Sequence, residues 1–441
     1  MSMTKVPTSL HAGLLAAGLL LAACSSSARL TVLDGTGPQP QLPAPRTSLI
    51  PTVNVVSARG WVDGRTPVAA DGHRVGAFAV GLVHPRWLYV LPNGDVLVAE
   101  TNAPPKKQSH GIRAWFFNRL QKRAGGAVPS PNRITLLRDA DGDGVAEIRS
   151  ALINNVQSPF GMALVGNQLF VATADSLLRY PYVTGALRIA DAAVPFASLP
   201  GGPINHHWTK SLLASVDGKR LYVGVGSNSN AGEKGMDVEA DRAAIWEFDI
   251  ATATHRVYAS GLRNPVGLAW QPQTGALWVA VNERDELGSD LVPDYMTAVR
   301  EGGFYGWPYS YFGSHVDKRV KPQQPQLVRD AIVPDYALGP HTASLGLAWY
   351  ADSTSTTAGM YVGQHGSWNR KPRSGYKVIF VPFRGGIPSG APIDVLTGFV
   401  DDDGNAFGRP VGVAIDAKGA LLVADDVGNA IWRVVRLGSG K

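Results

Sequence analysis

The sequence predicts an all-β fold, a six-bladed β-propeller, from three observations. One module of two short apolar segments joined by a polar turn recurs six times. The 441 residues include 50 glycines and 31 prolines, many of them in turns such as Asn93-Gly94 and Asp217-Gly218. Long helical periodicity is nearly absent, so we expect many short strands joined by turns.

The six modules follow one another along the chain, and each predicts one blade. Radial repetition leaves only short, protected sheet edges, which suits strands this brief. The modules are Trp87–Glu100, Gly161–Thr173, Leu212–Gly226, Gly267–Val281, a looser Gly346–Gln364, and Gly412–Asp425. Function in such a fold usually belongs to the loops at one end of the central channel.

The N-terminus predicts export. Lys5 and the apolar run Leu10–Leu21 have the charge and length of a secretory signal, which is too short to span a membrane. The run ends in Leu-Ala-Ala-Cys24, so residues 1–24 resemble a bacterial lipoprotein signal with Cys24 as the lipidated residue. An ordinary signal with a chance cysteine is the alternative. Ser25 favours the outer membrane, facing the periplasm, with the lipid as the sole membrane contact.

The composition of the remaining residues indicates their domain organisation and excludes some functions. Residues 25–52 are rich in Ser, Pro, Gly and Thr and predict a flexible tether, whereas residues 53–441 contain no internal linker and predict one domain. Cys24 is the only cysteine, which excludes disulfides and cysteine metal ligands. The net charge of +6 is spread along the chain and does not support nucleic-acid binding.

Four polar motifs carry the functional signal. A histidine can accept a proton near neutral pH, a planar guanidinium stabilises anionic oxygens, and an oxygen-rich loop suits calcium. The motifs are Asn205–Lys210 (NHHWTK), Arg263–Trp270 (RNPVGLAW), Asn282–Asp290 (NERDELGSD) and Gly302–Pro308 (GGFYGWP).

Together these motifs resemble the soluble, quinone-dependent glucose/sorbosone dehydrogenase family. The resemblance covers nearly the whole mature chain and is strongest from Asn205 to Pro308. It implies a six-bladed propeller that oxidises a sugar or a sugar-derived aldehyde with pyrroloquinoline quinone (PQQ) and calcium. It also implies an electron acceptor, which the sequence does not identify.

The resemblance assigns roles to several residues. His207 would be the general base that takes the proton from the anomeric hydroxyl, while the adjacent carbon gives hydride to the quinone. Arg263 and Asn264 would contact the cofactor, with Arg263 stabilising the reduced quinone. Gln157 falls where the family has a substrate-side glutamine and His206 where its glucose dehydrogenases have an acid, and both would belong to the cofactor pocket.

Two departures from the family pattern concern cofactor cations. Arg409 matches one member of a late arginine pair, but Phe407 occupies the partner position. Arg370 is the substitute that we expect, and His365 could reach the same channel. This departure favours the sorbosone-dehydrogenase-like branch over glucose dehydrogenase proper.

The acidic motif is the predicted calcium site. The resemblance places the ion on the backbone carbonyls of Glu283 and Arg284, where well-known members have Gly and Pro, and the side chains of Asp285 and Asp290 offer further oxygens. A solvated acidic loop without an ion is the alternative.

Two further segments have two interpretations each. The acidic segment 139–147 favours an Asp-Gly hairpin turn over a second, structural calcium site, because Ser150 stands where a calcium loop needs a bidentate glutamate. Residues 110–123 predict a helix on the propeller surface, with Trp115 and Leu120 among its apolar positions; contact with a membrane or an electron acceptor is the alternative.

Two other classes of function compete with the dehydrogenase. A calcium-dependent propeller hydrolase of the lactonase type would need side-chain carboxylates converging on a metal and would not need Arg263. A non-catalytic propeller could bind a partner or a glycan through its loops.

Overall fold

The computed structural model describes residues 27–47, 52–105, 112–352 and 357–437. Their strands form six antiparallel sheets arranged as the blades of a propeller, which confirms the predicted fold. Each of the six sequence modules supplies the two inner strands of one blade. Cys24 and the signal segment lie outside the described residues.

The blades are numbered here in chain order of their innermost strands. Blade 1 contains Pro85–Val90, Val96–Glu100, Arg133–Arg138 and Ile148–Asn154; blade 2 contains Met162–Val165, Gln168–Ala172, Ser176–Pro181 and Val194–Ser198; blade 3 contains Leu212–Ala214, Arg220–Val225, Ala244–Asp249 and His255–Ser260.

Blades 4 to 6 recruit additional strands from the N-terminal part of the chain. Blade 4 contains Pro265–Gln271, Ala276–Val281, Pro293–Ala298, Tyr336–Pro340 and Thr36–Gly37; blade 5 contains Ser344–Ala351, Ala358–Gln364, Lys377–Arg384, Ile393–Thr397 and Val68–Ala69, with Ile387–Pro388 at one side; blade 6 contains Pro410–Ile415, Leu421–Asp425, Ala430–Arg436 and His73–Ala79.

Short elements complete the described part of the chain. They are the parallel pair Ser57–Ala58 and Asn405–Ala406, the hairpin of Ser310–Tyr311 with His315–Val316, the helices Ile112–Arg123 and Pro325–Asp330, and the 3₁₀ turn Asp237–Glu239. Within the described ranges no helix is long and apolar enough to cross a membrane.

The hydrophobic core lies between successive blades rather than at a single centre. Six clusters of buried apolar residues lie mainly at the contacts between neighbouring blades, for example Leu97 of blade 1 with Leu169 of blade 2. A strand inside a blade is therefore covered on both faces, and all five residues of Val96–Glu100 are buried. This is why the modules read as continuous apolar runs instead of alternating patterns.

The ring closes within blade 6, which packs against blade 1. The strand His73–Ala79 pairs with Ala430–Arg436, so one blade joins the two ends of the propeller. Gly412 of blade 6 leaves room for blade 1 at this seam, because a Cβ there would lie 2.8 Å from the carbonyl oxygen of Arg86.

The structure differs from the predicted flexible tether over residues 27–47. Thr36–Gly37 pairs with Ala337 and Leu338 of blade 4, and the backbone N–H of Arg29 donates to Asp290 at 2.9 Å. Backbone hydrogen bonds and a strand pairing hold this segment on the propeller. Sequence composition alone did not reveal these partners, which lie about 260 to 340 residues away in the chain.

The two ambiguous segments have clear local structures. Residues 139–147 connect the third and fourth strands of blade 1, and Asp139 accepts hydrogen bonds from Lys418 and from the backbone of Gly142 and Gly144. The predicted helix is present as Ile112–Arg123. Its Trp115 is 62% exposed, so this side chain does not pack on the propeller as predicted.

Candidate active site in the central channel

Polar residues gather at one end of the channel because of how each blade is built. The innermost strand begins at the end where the second strand finishes, since the two strands are antiparallel. Six blades therefore place these strand ends in one ring. The polar residues of the ring are His84 and Arg86 beside blade 1, His207 before blade 3, Arg263 and Asn264 before blade 4, His341 before blade 5, His365 after its second strand, and Arg409 and Asp426 at blade 6.

His207 is held in the form that a general base requires. Its Nδ1 lies 2.8 Å from the carbonyl oxygen of Ser227, and a carbonyl only accepts, so Nδ1 carries the hydrogen. Burial, together with the charges of Arg263 and His206, lowers the pKa of His207 well below its ordinary value of 6.5. The neutral ring therefore keeps a lone pair on Nε2.

Two buried basic side chains hold the backbone of the loop that carries His207. Arg242 donates to the carbonyl oxygen of His207 at 3.2 Å and to that of Gly226 at 2.9 Å. Lys210 is fully buried and donates to the carbonyl oxygen of Trp208 at 3.1 Å. These contacts fix the backbone on both sides of the imidazole.

Gly226 is the point where the His207 loop meets Asn264. A Cβ at this position would lie 2.4 Å from Asn264 Oδ1 and 2.5 Å from His207 Cβ. We expect Gly226→Ala to displace both side chains and to lower kcat at least about tenfold, one to two kcal/mol in the barrier, with the fold retained. Gly76→Ala, where the added Cβ meets nothing within 4 Å, is the control and should keep wild-type turnover in the same assay. Equal turnover of both variants would contradict the expected role of this contact.

Arg263 lies in the channel wall and is almost fully buried. Its Nε donates to the Asn230 carbonyl oxygen at 3.1 Å, Nη2 to Asn230 Oδ1 at 3.1 Å, and Nη1 to the Glu283 carbonyl oxygen at 2.8 Å. Nη2 also lies 3.8 Å from the Asp285 carboxylate. The guanidinium thus joins the loop between the second and third strands of blade 3 to the acidic loop.

Asn264 contains an unpaired polar atom. Its Oδ1 is buried and has no hydrogen-bond partner among the described residues. Burying a polar atom without a partner is unfavourable. A ligand that offers a hydrogen-bond donor at this position would remove that cost.

The acidic loop is organised by two carboxylates with different surroundings. Asp285 accepts from Asn369 Nδ2 at 2.7 Å and faces His341 Nδ1 at 3.4 Å; the histidine, Arg263 and Asn369 outweigh burial and lower its pKa. Asp294 accepts from the backbone of Glu283 at 2.9 Å and of Ser344 at 2.7 Å, which ties the loop to blade 5. His341 was not predicted from the sequence.

The predicted calcium carbonyls lie in this loop. The Glu283 oxygen accepts one hydrogen bond from Arg263, and a carbonyl oxygen has a second lone pair. The Arg284 guanidinium is buried 3.1 Å from the Asp317 carboxylate. Its charge is therefore compensated, so an arginine at this position does not by itself repel a cation at the loop.

Two predicted ligands have partners within the chain that the sequence did not reveal. The Asp290 carboxylate accepts from the backbone N–H groups of Arg29 and Leu30, so it holds the N-terminal segment instead of a metal. Arg370 donates to the carbonyl oxygens of Ser289, Pro372 and Leu30, so its guanidinium is occupied by backbone and does not replace the missing arginine.

The other predicted residues lie around the ring. Gln157 is exposed in the connection between blades 1 and 2, and His206 is exposed beside His207 with its ring centroid 4.7 Å away. Arg409 is mostly buried and donates to the carbonyl oxygens of His365 and Gly366, both at 3.0 Å. Its guanidinium also lies 5.3 Å above the Tyr376 ring.

Sequence reasoning named His365 but missed Asp426, Arg86 and His84, which lie beside it. This carboxylate contacts Arg86 Nη1 at 3.0 Å and His365 Nε2 at 3.0 Å, and His84 Nε2 lies 3.7 Å away. A usable signal was present, because His84-Pro85-Arg86 precedes module 1 as His207 and Arg263 precede modules 3 and 4.

The buried histidine of this group predicts a pH effect on stability. Burial and Arg409 lower the pKa of His365 to about 4 despite Asp426. Between pH 6.5 and 4 the unfolded chain therefore binds a proton that the folded chain does not, and stability falls as pH falls, by about 1.4 kcal/mol per pH unit. We expect His365→Gln to lose this part of the pH dependence in denaturant unfolding at pH 7 and pH 5. The exposed His255→Gln variant is the control and should show the wild-type pH dependence of stability. A wild-type difference in stability between pH 7 and pH 5 in His365→Gln would refute the assignment of this effect to His365.

Known proteins are similar in sequence to this chain. The model of the TrAA12-like family matches residues 131–299 and 318–437, more than half of the chain. A PQQ-dependent pyranose dehydrogenase of Coprinopsis cinerea is 24% identical over 432 residues, covering 83% of this chain and 54% of that protein. A protein of Borreliella burgdorferi, whose function is uncharacterised, is 25% identical over 297 residues, covering 64% of this chain and 77% of that protein. The chain thus spans about half the length of the Coprinopsis relative.

Solved structures share the fold. A Trichoderma reesei structure of carbohydrate-active enzyme family AA12 superposes with a TM-score of 0.69 at 20% identity, covering 86% of this chain and 99% of that one. The holo form of the PQQ domain of Coprinopsis cinerea pyranose dehydrogenase superposes with a TM-score of 0.66 at 22% identity, covering 87% and 100%.

Proposed function

The chain belongs to the TrAA12-like family, and on that premise we propose that it oxidises a sugar or a sugar-derived aldehyde with PQQ and calcium. The observation that carries the proposal is the neutral His207, with Nε2 free to accept a proton, beside the buried Arg263. The Coprinopsis relative is named as a PQQ-dependent dehydrogenase, which supports the same chemistry. We propose aldoses and sorbosone-type aldehydes as the substrate class.

The residues of the channel fit the proposed cofactor. PQQ carries three carboxylates and a dione, so its site needs cationic and amide groups. Arg263 and Asn264 provide them on one side of the ring, and Arg409 lies at blade 6. The unpaired Asn264 Oδ1 is an acceptor, so it favours a ligand with a hydrogen-bond donor at this point, such as a sugar hydroxyl. Gln157 and His206, both exposed, would lie toward the substrate.

Calcium would be held by the acidic loop. We propose the carbonyl oxygens of Glu283 and Arg284 as ligands, with the Asp285 carboxylate as the nearest negative charge. Hard oxygen ligands of this kind suit calcium. Asp290 is left out of the set because it binds the N-terminal segment.

The proposed mechanism assigns the proton to His207. PQQ, when bound, supplies the two-electron acceptor that takes hydride from the substrate carbon. His207 Nε2 accepts the proton of the substrate hydroxyl, and the Ser227 carbonyl keeps the ring oriented through Nδ1. Arg263 and His206 disfavour the protonated ring, which promotes release of the proton after each turnover. Arg263 would stabilise the negative charge that develops in the channel.

The competing hydrolase is less well supported by the positions of the carboxylates. Within the described ranges, the one group of three or more metal-ligating side chains close enough to hold an ion is Asp139, Asp141, Asp143 and Glu147. This group belongs to a loop of blade 1 between its two outer strands, and three of its members are exposed. A lactonase-type site would place such a group in the channel.

Reconstitution tests the proposed function. We expect the purified protein to reduce an artificial dye with an aldose only after PQQ and calcium are added, and EDTA to abolish this activity until calcium is restored. EDTA removes calcium, the doubly charged ion that would bind the cofactor in the channel. Turnover that survives thorough chelation would point to a different cofactor, and a binding module would show no dye reduction under any condition.

We also propose that Cys24 carries a lipid and holds the enzyme on the periplasmic side of the outer membrane, where a separate electron acceptor would meet it. The signal-like sequence of residues 1–24 supports this. The intact mass of the mature protein from a lipoprotein-processing host tests it, since an unmodified N-terminus at another residue would remove the proposal.

A further inference from the structure

The N-terminal segment contacts the end of the propeller that carries the proposed active site, called the channel face here. The backbone N–H of Ala28 donates to the carbonyl oxygen of Lys371 at 2.7 Å, in the loop after the second strand of blade 5. The N–H of Arg29 donates to Asp290 at 2.9 Å, in the corresponding loop of blade 4. Both loops follow second strands, so both lie at the end that carries His207.

Two buried charged side chains hold this segment in place. Asp290 is 6% exposed and accepts hydrogen bonds from the backbone N–H groups of Arg29 and Leu30. Arg370 is 1% exposed and donates to the Leu30 carbonyl oxygen at 2.9 Å. Leaving buried charges without these partners would be unfavourable, so residues 29–30 are fixed on the channel face.

The lipid that we propose on Cys24 would therefore attach close to the channel face. Three residue steps separate Cys24 from Ser27, and an extended chain of that length spans about 11 Å at most. The second strand of blade 4, Ala276–Val281, has six residues and is about 20 Å long, at roughly 3.3 Å per residue. The link is shorter than the blade, so it cannot bring the opposite end of the propeller to a bilayer.

A helix on the channel face also suits a membrane. Ile112–Arg123 belongs to the connection after the second strand of blade 1, which starts at the same end of the propeller. Trp115 is 62% exposed, Arg119, Lys122 and Arg123 are exposed, and the helix sequence contains no acidic residue. An exposed tryptophan beside basic side chains is typical of a helix that binds the surface of an anionic bilayer.

The helix and the N-terminal segment lie on different sides of the channel. A Cβ on Gly125, just after the helix, would lie 3.2 Å from Val427, which follows the second strand of blade 6. The N-terminal segment contacts blades 4 and 5 instead. In a ring of six blades, blade 1 lies opposite blade 4. A flat surface that touches both features must therefore face the open end of the channel.

We propose that the channel face lies against the membrane, held by the lipid of Cys24 beside blades 4 and 5 and by the helix Ile112–Arg123 beside blades 6 and 1. The partner is the anionic phospholipid surface of the bilayer. The inference rests on the proposed lipid anchor but not on the proposed reaction. A sugar would enter the channel through the gap between the propeller and the bilayer, and an electron acceptor in the bilayer would lie on the side of the channel.

Quenching of fluorescent labels by lipids tests this orientation. Cys24 is the only cysteine and would carry the lipid, so an introduced cysteine supplies the only free thiol for a label. The labelled variants are Lys371→Cys, beside the N-terminal segment, Gln121→Cys, in the helix, and Lys219→Cys, between the first two strands of blade 3 at the opposite end. The native side chains at all three positions are exposed.

Each full-length variant is matured in a lipoprotein-processing host and incorporated into vesicles of phosphatidylethanolamine and phosphatidylglycerol with a nitroxide on some headgroups. We expect the labels of Lys371→Cys and Gln121→Cys to be quenched several-fold more strongly than the label of Lys219→Cys. The reason is that the first two positions would lie at the bilayer surface, whereas the third would lie a blade length away from it.

Reversal of charge in the helix tests its contact with anionic lipid. Arg119→Glu combined with Lys122→Glu should reduce the quenching of the Gln121→Cys label several-fold, because the anionic surface repels the new carboxylates. The matched control combines Arg188→Glu with Lys219→Glu, which reverses two exposed charges in connections at the opposite end. This control should leave the quenching of the Gln121→Cys label unchanged.

Three results would overturn the orientation. They are equal quenching of all three labels, strongest quenching in Lys219→Cys, and quenching in Lys371→Cys alone, which would mean that the propeller stands on its edge. A mature protein whose intact mass shows no lipid would contradict the proposed anchor and, with it, this orientation. PQQ-dependent dye reduction in solution should be the same in every case, so failure of the proposed reaction is recognised separately.

Discussion

His207→Ala is expected to lower kcat by about 10²- to 10⁴-fold, the usual contribution of a positioned proton acceptor. The physical reason is the neutral ring, whose Nε2 lone pair would be lost, while the Ser227 carbonyl that orients it remains. The Kd for PQQ should change little, since His207 is assigned to the substrate. Steady-state kinetics with an artificial acceptor, together with a PQQ titration, measures both quantities.

The adjacent histidine is the matched control for this prediction. His206 is exposed, and its ring lies 4.7 Å from that of His207, so His206→Ala tests whether the catalytic position is assigned correctly. We expect His206→Ala to keep kcat within a few-fold of wild type. Loss of turnover in His206→Ala with retention in His207→Ala would move the base by one residue. Full activity of both variants would exclude a histidine base.

Arg263→Ala is expected to weaken PQQ binding about 10- to 100-fold, because a buried cation and its charge-assisted hydrogen bonds are removed. It should also lower the free energy of unfolding by about 1–3 kcal/mol, since the buried Glu283 carbonyl oxygen loses its donor, whereas the Asn230 carbonyl oxygen keeps the Trp307 indole N–H. Thermal unfolding with and without PQQ separates the two effects.

A surface arginine gives the comparison for Arg263. Arg256 has a half-exposed side chain that pairs with Glu247 and Glu301, so Arg256→Ala removes a guanidinium outside the channel. Screened surface pairs contribute little to stability. We expect Arg256→Ala to bind PQQ like wild type; equal PQQ affinities of the two variants would show that Arg263 does not contact the cofactor.

The inner half of each blade could be predicted because its sequence signal is local. Strands such as Val96–Glu100 are covered on both faces, so an apolar run and a polar turn suffice to identify the pair. The outer strands carry weaker patterns; none of the five residues of Val194–Ser198 is buried. Ring closure by His73–Ala79 depends on a partner some 360 residues later, which no local pattern reveals.

The same distinction explains which site residues were found. His207 and Arg263 precede recognisable modules, so sequence position alone placed them near the channel. The partners of Asp290 and one partner of Arg370 belong to residues 29–30, a segment whose composition resembles a tether, so the sequence did not reveal them. Asp426 follows the second strand of a module and would be read as a strand cap; only the structure shows it between Arg86 and His365.

The most direct test of the central claim is the reduction of bound quinone by a sugar. The apo protein is loaded with one equivalent of PQQ and calcium under anaerobic conditions, and the absorbance of the quinone is followed after an aldose is added. We predict reduction of one quinone per protein molecule, at a rate lowered about 10²- to 10⁴-fold in His207→Ala. A quinone that binds but stays oxidised with every aldose and sugar-derived aldehyde tested, or that does not bind at all, would contradict a PQQ-dependent sugar dehydrogenase.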